Sequence, residues 1–339
     1  MAPGRRRGRP RLLRRRGREV RSAASALPAG EAPCGSAGGG VTVTFERILI
    51  EVDPHAAHHP PLDRGIAIAR ACGAQVGIAA VMTDRDLRSV PGSRVDTTDI
   101  DDFRDLLTEA TAGLNSTEVA TKVLFGSAAE ALVEEAHRWH ADLLVRSHPR
   151  IHPYPSCEVD RSLIRASPAP VLLVAPSVAG SRPEILGAVA PETARHGGTA
   201  LNHAVIDHTL SMAAITAGSP TLLQAFKPHA LHSSHDPGTH LIGAVEQWRT
   251  DITAHLNDTV HELGGKPENV TVIARHGVVD EVLPEYVSRH GVDLVVIGVP
   301  PRRGLAHWLL GSTATRLLRH LPCSVLAVKT SPHPSRRPS

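Results

Sequence analysis

From Ile48 onward the chain alternates short, unbroken apolar runs with longer stretches in which apolar residues recur at helical spacing. Ile48 to Val52, interrupted only by Glu51, and Val76 to Val81, Leu143 to Val145 and Val171 to Val174 are apolar runs, as suits strands covered on both faces of a parallel sheet. Val119 to Phe125 is a further strand. The periodicity between them predicts a helix over Leu62 to Cys72, closed by Gly73, and another over Asp101 to Leu114. A third opens at Gly126–Ser127 and carries Leu132, Val133 and Ala136 on one side, and Ser162 to Ala166 sits in a short fourth. Strands with helices between them read as an open parallel α/β sheet.

The plan then returns. Ile185 to Val189, Thr221 to Phe226, Val270 to Ala274, Leu294 to Ile297 and Ser324 to Val328 read as strands. Leu201 to Ala217, a long segment ending at Leu263, Asp280 to Arg289, and a segment opened by Gly311–Ser312 and stopped by Pro322 read as helices. Gly126 through Leu143 aligns with Gly277 through Leu294 at a shift of 151; Pro168 and Val171 align with Pro322 and Val325 at a shift of 154. A period of that length means two copies of one domain rather than a solenoid. The copies are placed at 44–176 and 185–329, joined by a linker at 177–184. A disordered extension at 1–43 and a disordered tail at 330–339 flank them.

Composition changes this picture in three places. A length of 339 residues agrees with two domains, and with aromatics at only 3% their cores must be aliphatic. The net charge of +3 hides an asymmetry: residues 1–40 hold ten arginines against Glu19 and Glu31, so the rest of the chain is acidic at −5. That argues against nucleic acid as the main partner of the folded part. Within the extension three readings stay open: a start codon assigned too far upstream of Val41, a transit peptide, or an AT-hook-like core at Arg7-Gly8-Arg9-Pro10 aimed at a DNA minor groove. Cys34, Cys72, Cys157 and Cys323 form no C-x-x-C pair, which fits a reducing cytoplasm. No apolar run reaches the length of a membrane span.

The chemistry gathers in Asp293 to Val328, DLVVIGVPPRRGLAHWLLGSTATRLLRHLPCSVLAV. Strand, glycine-bearing loop, helix and strand follow one another, and the loop aims at a helix N-terminus, where free N–H groups and the positive dipole end favour an anion. The plainer alternative is that Ser312 only caps a helix and Gly298 only turns the chain. The spacing of Gly298, Pro301 and Gly311–Ser312 resembles the nucleotide loop of the universal stress protein family, G-x-x-G-(x)9-G-S/T. That loop is followed in the family by a helix and a strand ending P-C-x-V-L-x-V, matched by Pro322, Cys323, Val325, Leu326 and Val328. Pro301 stands where the family has its second glycine, and proline has no N–H to give a phosphate.

With the duplication the resemblance covers residues 45 to 329 and is nearest to tandem members of the E type, carried by ILIEVDP, the long helix of the second copy and the closing CSVLAVK. It implies two tandem flavodoxin-like domains, each an open parallel five-stranded sheet of order 3-2-1-4-5 with helices on both faces. It also implies that the copies pair internally through Val171–Val174 and Val325–Val328, covering an otherwise bare sheet edge. In ligand-binding members an Asp at the end of the first strand holds the adenine side and the loop holds phosphates, outside the C-terminal strand ends.

Here the two halves of such a site fall on different copies. The first copy keeps Asp53, the adenine-side candidate, but has Ser147 in place of Gly298 and Cys157–Glu158 in place of Gly311–Ser312, and Glu158 would repel phosphate. The second keeps the loop but has Ala190 where the Asp belongs. The candidate nucleotide-binding residues are therefore Gly298, Val299, Arg302, Arg303, Gly311, Ser312 and Thr313, with ATP as the candidate cofactor. Arg302 and Arg303 either supply charge to phosphates or form a solvated loop. No metal is expected: His229, His232 and His235 beside Asp236 have zinc-like spacing but read as a surface loop, and His55, His58 and His59 read likewise. Cys157 is either a reactive thiolate near a helix start or a buried thiol. No triad or paired carboxylates stand out, so no catalytic residue is assigned. The expected protein is a cytoplasmic, non-catalytic stress-response protein acting through ligands or unknown protein partners. The alternatives are a nucleotide-free scaffold and a slow ATPase.

Overall fold

A computed structural model describes residues 43–83, 97–111, 119–148, 155–176, 182–191, 198–227, 237–300 and 312–330. The first copy runs β1 (Arg47–Glu51), α1 (Pro60–Cys72), β2 (Gln75–Met82), α2 (Thr97–Thr111), β3 (Val119–Phe125), α3 (Ala128–Trp139), β4 (Leu143–Ser147), α4 (Pro155–Ala166) and β5 (Val171–Val174). The second runs β6 (Glu184–Val189), α5 (Gly198–Ile215), β7 (Ser219–Phe226), α6 (Pro237–Glu262), β8 (Thr271–His276), α7 (Val279–His290), β9 (Leu294–Gly298), α8 (Ser312–His320) and β10 (Ser324–Val328).

All ten strands form one sheet, in the order β3-β2-β1-β4-β5-β10-β9-β6-β7-β8. Each half is a parallel 3-2-1-4-5 sheet of the flavodoxin-like kind. The halves meet at β5 and β10, which run antiparallel with Leu172 beside Leu326. Because each half is parallel within itself, that reversal sends the C-terminal strand ends of the two copies in opposite directions. The consecutive apolar residues of the strands are explained by their setting. Ile48, Ile50, Leu172 and Leu326 join a core beneath α1, α2, α5 and α6, while Leu49, Val171, Leu173 and Val325 join a second core beneath α3, α4, α7 and α8. Both cores run through both copies, which is what a two-sided sheet requires of every strand residue.

The register fixes which positions correspond. Ile48 lies beside Leu143, and Ile185 beside Leu294, so Asp53 corresponds to Ala190 and Glu51 to Ala188. Asp142 accepts the N–H groups of Glu46 and Arg47 at 2.6 and 3.0 Å, and Asp293 accepts that of Glu184 at 2.9 Å. The same aspartate thus anchors the first strand of each copy. Ser162 to Ala166 lie in a helix, as expected, and α4 extends back from them to Pro155. Asp160 is buried in its middle, and a charge on the inner face interrupts the apolar period from which the helix would be read.

Candidate functional site

The ends of β4 and β9 are equivalent places. His148 gives its backbone N–H to Val174 O at 2.8 Å, and Val299 gives its own to Val328 O at 2.8 Å. What surrounds them differs in each copy.

In the second copy the end of β9 is apolar and closely packed. A Cβ on Gly298 would lie 2.7 Å from Leu201 Cγ in α5, and its φ is not in the left-handed region, so close approach of α5 selects the glycine rather than turn geometry. Val299 is fully buried with its N–H committed to Val328, so it has no amide to offer a ligand. Asn202 of α5 holds the loop after β6: its Oδ1 accepts the N–H of Ala190 at 3.1 Å and its Nδ2 donates to Ala190 O at 2.8 Å. Ala190 therefore lacks a carboxylate, and its backbone is engaged as well. Ser312 opens α8, with Thr313 behind it in the first turn. Leu317 and Leu318 seat the helix on the sheet, and Arg316 reaches Asp280 of α7 at 3.3 Å. Pro301, Arg302, Arg303 and Gly311 lie outside the described residues.

The first copy carries charge at the corresponding places. Arg146 Nη1 donates to Glu51 Oε1 at 3.1 Å, and its Nε lies 3.0 Å from Asp160 Oδ1 without hydrogen-bond alignment. Asp160 Oδ2 is 3.1 Å from His148 Nδ1, and His148 Nε2 is 3.0 Å from the carbonyl oxygen of Leu318 in the other copy. Burial pushes the Glu51 carboxyl above its ordinary value, with Arg146 opposing that shift. The counterparts of Glu51, Arg146, His148 and Asp160 in the second copy are Ala188, Ile297, Val299 and Ala314. An ionic cluster thus stands where the second copy is hydrocarbon. It went unread in the sequence, although the charges in ILIE and LLVRS, opposite apolar residues in the repeat, are its trace.

The approach to the two helices also differs. The segment between strand and helix runs 148–154 in the first copy and 299–311 in the second. Cys157 and Glu158, the matches of Gly311 and Ser312, lie inside the first turns of α4 instead of at its mouth. Asp53 stays exposed, and its Oδ1 accepts the N–H of His55 at 3.0 Å. His55 stands edge-on to Phe103, their ring centroids 5.6 Å apart. Among the described residues no three His, Cys, Asp or Glu side chains come together as metal ligands, and no helix is long and apolar enough to cross a membrane. His229, His232 and His235 lie outside the described residues.

The model of the universal stress protein family matches twice, over residues 44–175 and 196–329. Among curated proteins, universal stress protein E of Photorhabdus laumondii is 23% identical over 84% of this chain and 95% of its own length. The universal stress protein E homolog of Haemophilus influenzae is 26% identical over 60% of this chain and 67% of its own. In structure the chain is similar to a functionally unknown protein of Pseudomonas aeruginosa, with a TM-score of 0.63, 20% identity, and 85% and 93% of the two chains covered. It is also similar to a universal stress protein of Archaeoglobus fulgidus, with a TM-score of 0.56, 13% identity, and 84% and 96% covered. The chain belongs to the universal stress protein family, as a tandem member of the E type.

Proposed function

We propose that this chain is a cytoplasmic stress-response protein that works by binding rather than turnover. The second copy takes an adenine nucleotide, and the first serves as its closed counterpart. One observation carries this reading: equivalent strand ends hold a buried ionic cluster in the first copy and hydrocarbon in the second. A phosphate arriving at the end of β4 meets Glu51 and Asp160, whose shared guanidinium is already paired. In the second copy the counterparts of those carboxylates are Ala188 and Ala314, and α8 begins at Ser312, a helix N-terminus of the kind that suits an anion. Arg302 and Arg303 add charge to that loop.

The purine side is the weaker half, because Ala190 has no carboxylate and its backbone is tied to Asn202. That feature favours a second reading, a nucleotide-free scaffold. Native mass spectrometry of the full chain with and without ATP and magnesium separates the two. One nucleotide per chain is expected, lost in Gly311→Val and kept in Asp53→Ala. Uptake of none would leave the scaffold, and uptake of two would mean that the first copy is open. Bound ATP is also expected to stabilise the fold by about 2.7 kcal/mol at a hundred times Kd.

A further inference from the structure

We infer that His148 of the first copy is a positioning residue for the loop helix of the second, supplying at the helix C-terminus the donor that Pro322 lacks. In an α-helix the carbonyl of residue i accepts the N–H of residue i+4. Leu317 O receives the N–H of Leu321 at 2.9 Å, but the next carbonyl, Leu318 O, faces Pro322, which has none. An orphan carbonyl at a buried helix end needs a partner from elsewhere. His148 Nε2, arriving from the other copy, fills that place at 3.0 Å, and the histidine is 5% exposed. A carbonyl oxygen only accepts, so the proton of this bond sits on Nε2, while Nδ1 turns to Asp160 Oδ2.

The arrangement is reciprocal but not symmetric. The matching carbonyl in α4, Ile164 O, faces Pro168, and the residue equivalent to His148 across the interface is Val299, which has no side-chain donor. The second copy answers with a different residue. Lys329, just past β10, donates to Ser167 O at 2.6 Å and Arg165 O at 3.3 Å, at the C-terminus of α4. Each loop helix is thus held at its far end by a side-chain N–H donor of the other copy, and at α4 that donor is a lysine amine, whose charged form suits the helix dipole. For α8 this matters most. It has nine residues, too few to be stable alone, and its first turn bears the candidate residues Ser312 and Thr313. What holds its last turn also sets how firmly its first turn is presented. The consequence for a ligand rests on the nucleotide reading above; the cap itself does not.

Two substitutions in the full chain separate the two ring nitrogens. His148→Asn keeps a donor near Nδ1 and loses the reach to Leu318, whereas His148→Gln keeps a donor near Nε2. Amide hydrogen exchange, read without nucleotide over residues 312–321, is expected to quicken about two- to tenfold in the Asn variant, the range set by one net hydrogen bond. The Gln variant is expected to stay close to the parent, and Lys329→Met is expected to quicken 155–167 instead. Equal exchange in the Asn and Gln variants, or quickening of 312–321 by Lys329→Met to the same degree, would overturn the cap. ATP titration of the same proteins should show weaker binding for Asn than for Gln. If the parent takes up no ATP, the functional proposal falls while the exchange comparison still decides the cap.

Discussion

Gly298 is a glycine for a reason that its spacing in the sequence does not show. Its place in the loop spacing marked it as a turn glycine, yet its missing side chain makes room for Leu201. Only the docking of α5 on β9 reveals that, and docking is not local in sequence. The equivalent Ser147 carries a Cβ, so the constraint belongs to the second copy. Gly298→Ala is expected to cost about 1–3 kcal/mol through overpacking, measured by urea unfolding. Leu201→Ala in that background should recover part of the loss, because the two side chains share one space. Ala190 was legible as a vacancy at the aspartate position, but its engagement by Asn202 was not, since an asparagine inside a helix gives no sign of the loop it holds.

Among the elements, the inner strands are the most legible in sequence because both of their faces are covered and most of their positions are apolar, whereas the edge strands β3 and β8 are partly exposed and carry polar residues. Helices α3 and α7 were legible for a related reason, their inner faces being periodic. Of helix α4 only the end at Ser162 to Ala166 is legible, because Asp160 in its earlier part points inward to the cluster it forms with Arg146 and His148. The two repeat shifts, 151 and 154, differ across the stretch between β4 and α4, where the first copy is the shorter. Buried ion pairs cost desolvation as well as returning attraction, and removing one partner strands the others. Arg146→Met should therefore destabilise by about 3–5 kcal/mol, since Glu51 and Asp160 lose their shared guanidinium. Replacing the whole set by its counterparts (Glu51→Ala, Arg146→Ile, His148→Val and Asp160→Ala) is expected to cost less in global unfolding, because no charge is left buried without its partner and only the hydrogen bond to Leu318 O is lost. A quadruple variant as unstable as Arg146→Met would refute that expectation.

At the scale of the molecule, the duplication was plain in the sequence, whereas the side chains that cross between the copies were not. His148 and Lys329 look unremarkable until β5 and β10 bring them to the opposite helices. Lys329 gives a test through pH. Burial pushes its amine down from 10.5 to about 8, so between those values the unfolded chain holds a proton that the folded chain has released. Stability therefore rises with pH across that window on account of this group, and the cost of keeping it charged is fully felt below pH about 8. The unfolding free energy of the parent minus that of Lys329→Met should climb from pH about 8 to about 10.5; a flat difference would mean the amine is not buried as described.

The reversal at the centre of the sheet has a consequence for communication. The two strand-end mouths look out from opposite poles, with the length of the central strands, at least four residues at about 3.3 Å each, between them. Anything that one pole learns must travel through the interior. The helix whose first turn lies at the second pole has its last turn beside the charged cluster of the first, and along that short axle the two ends of the molecule are mechanically within reach of each other.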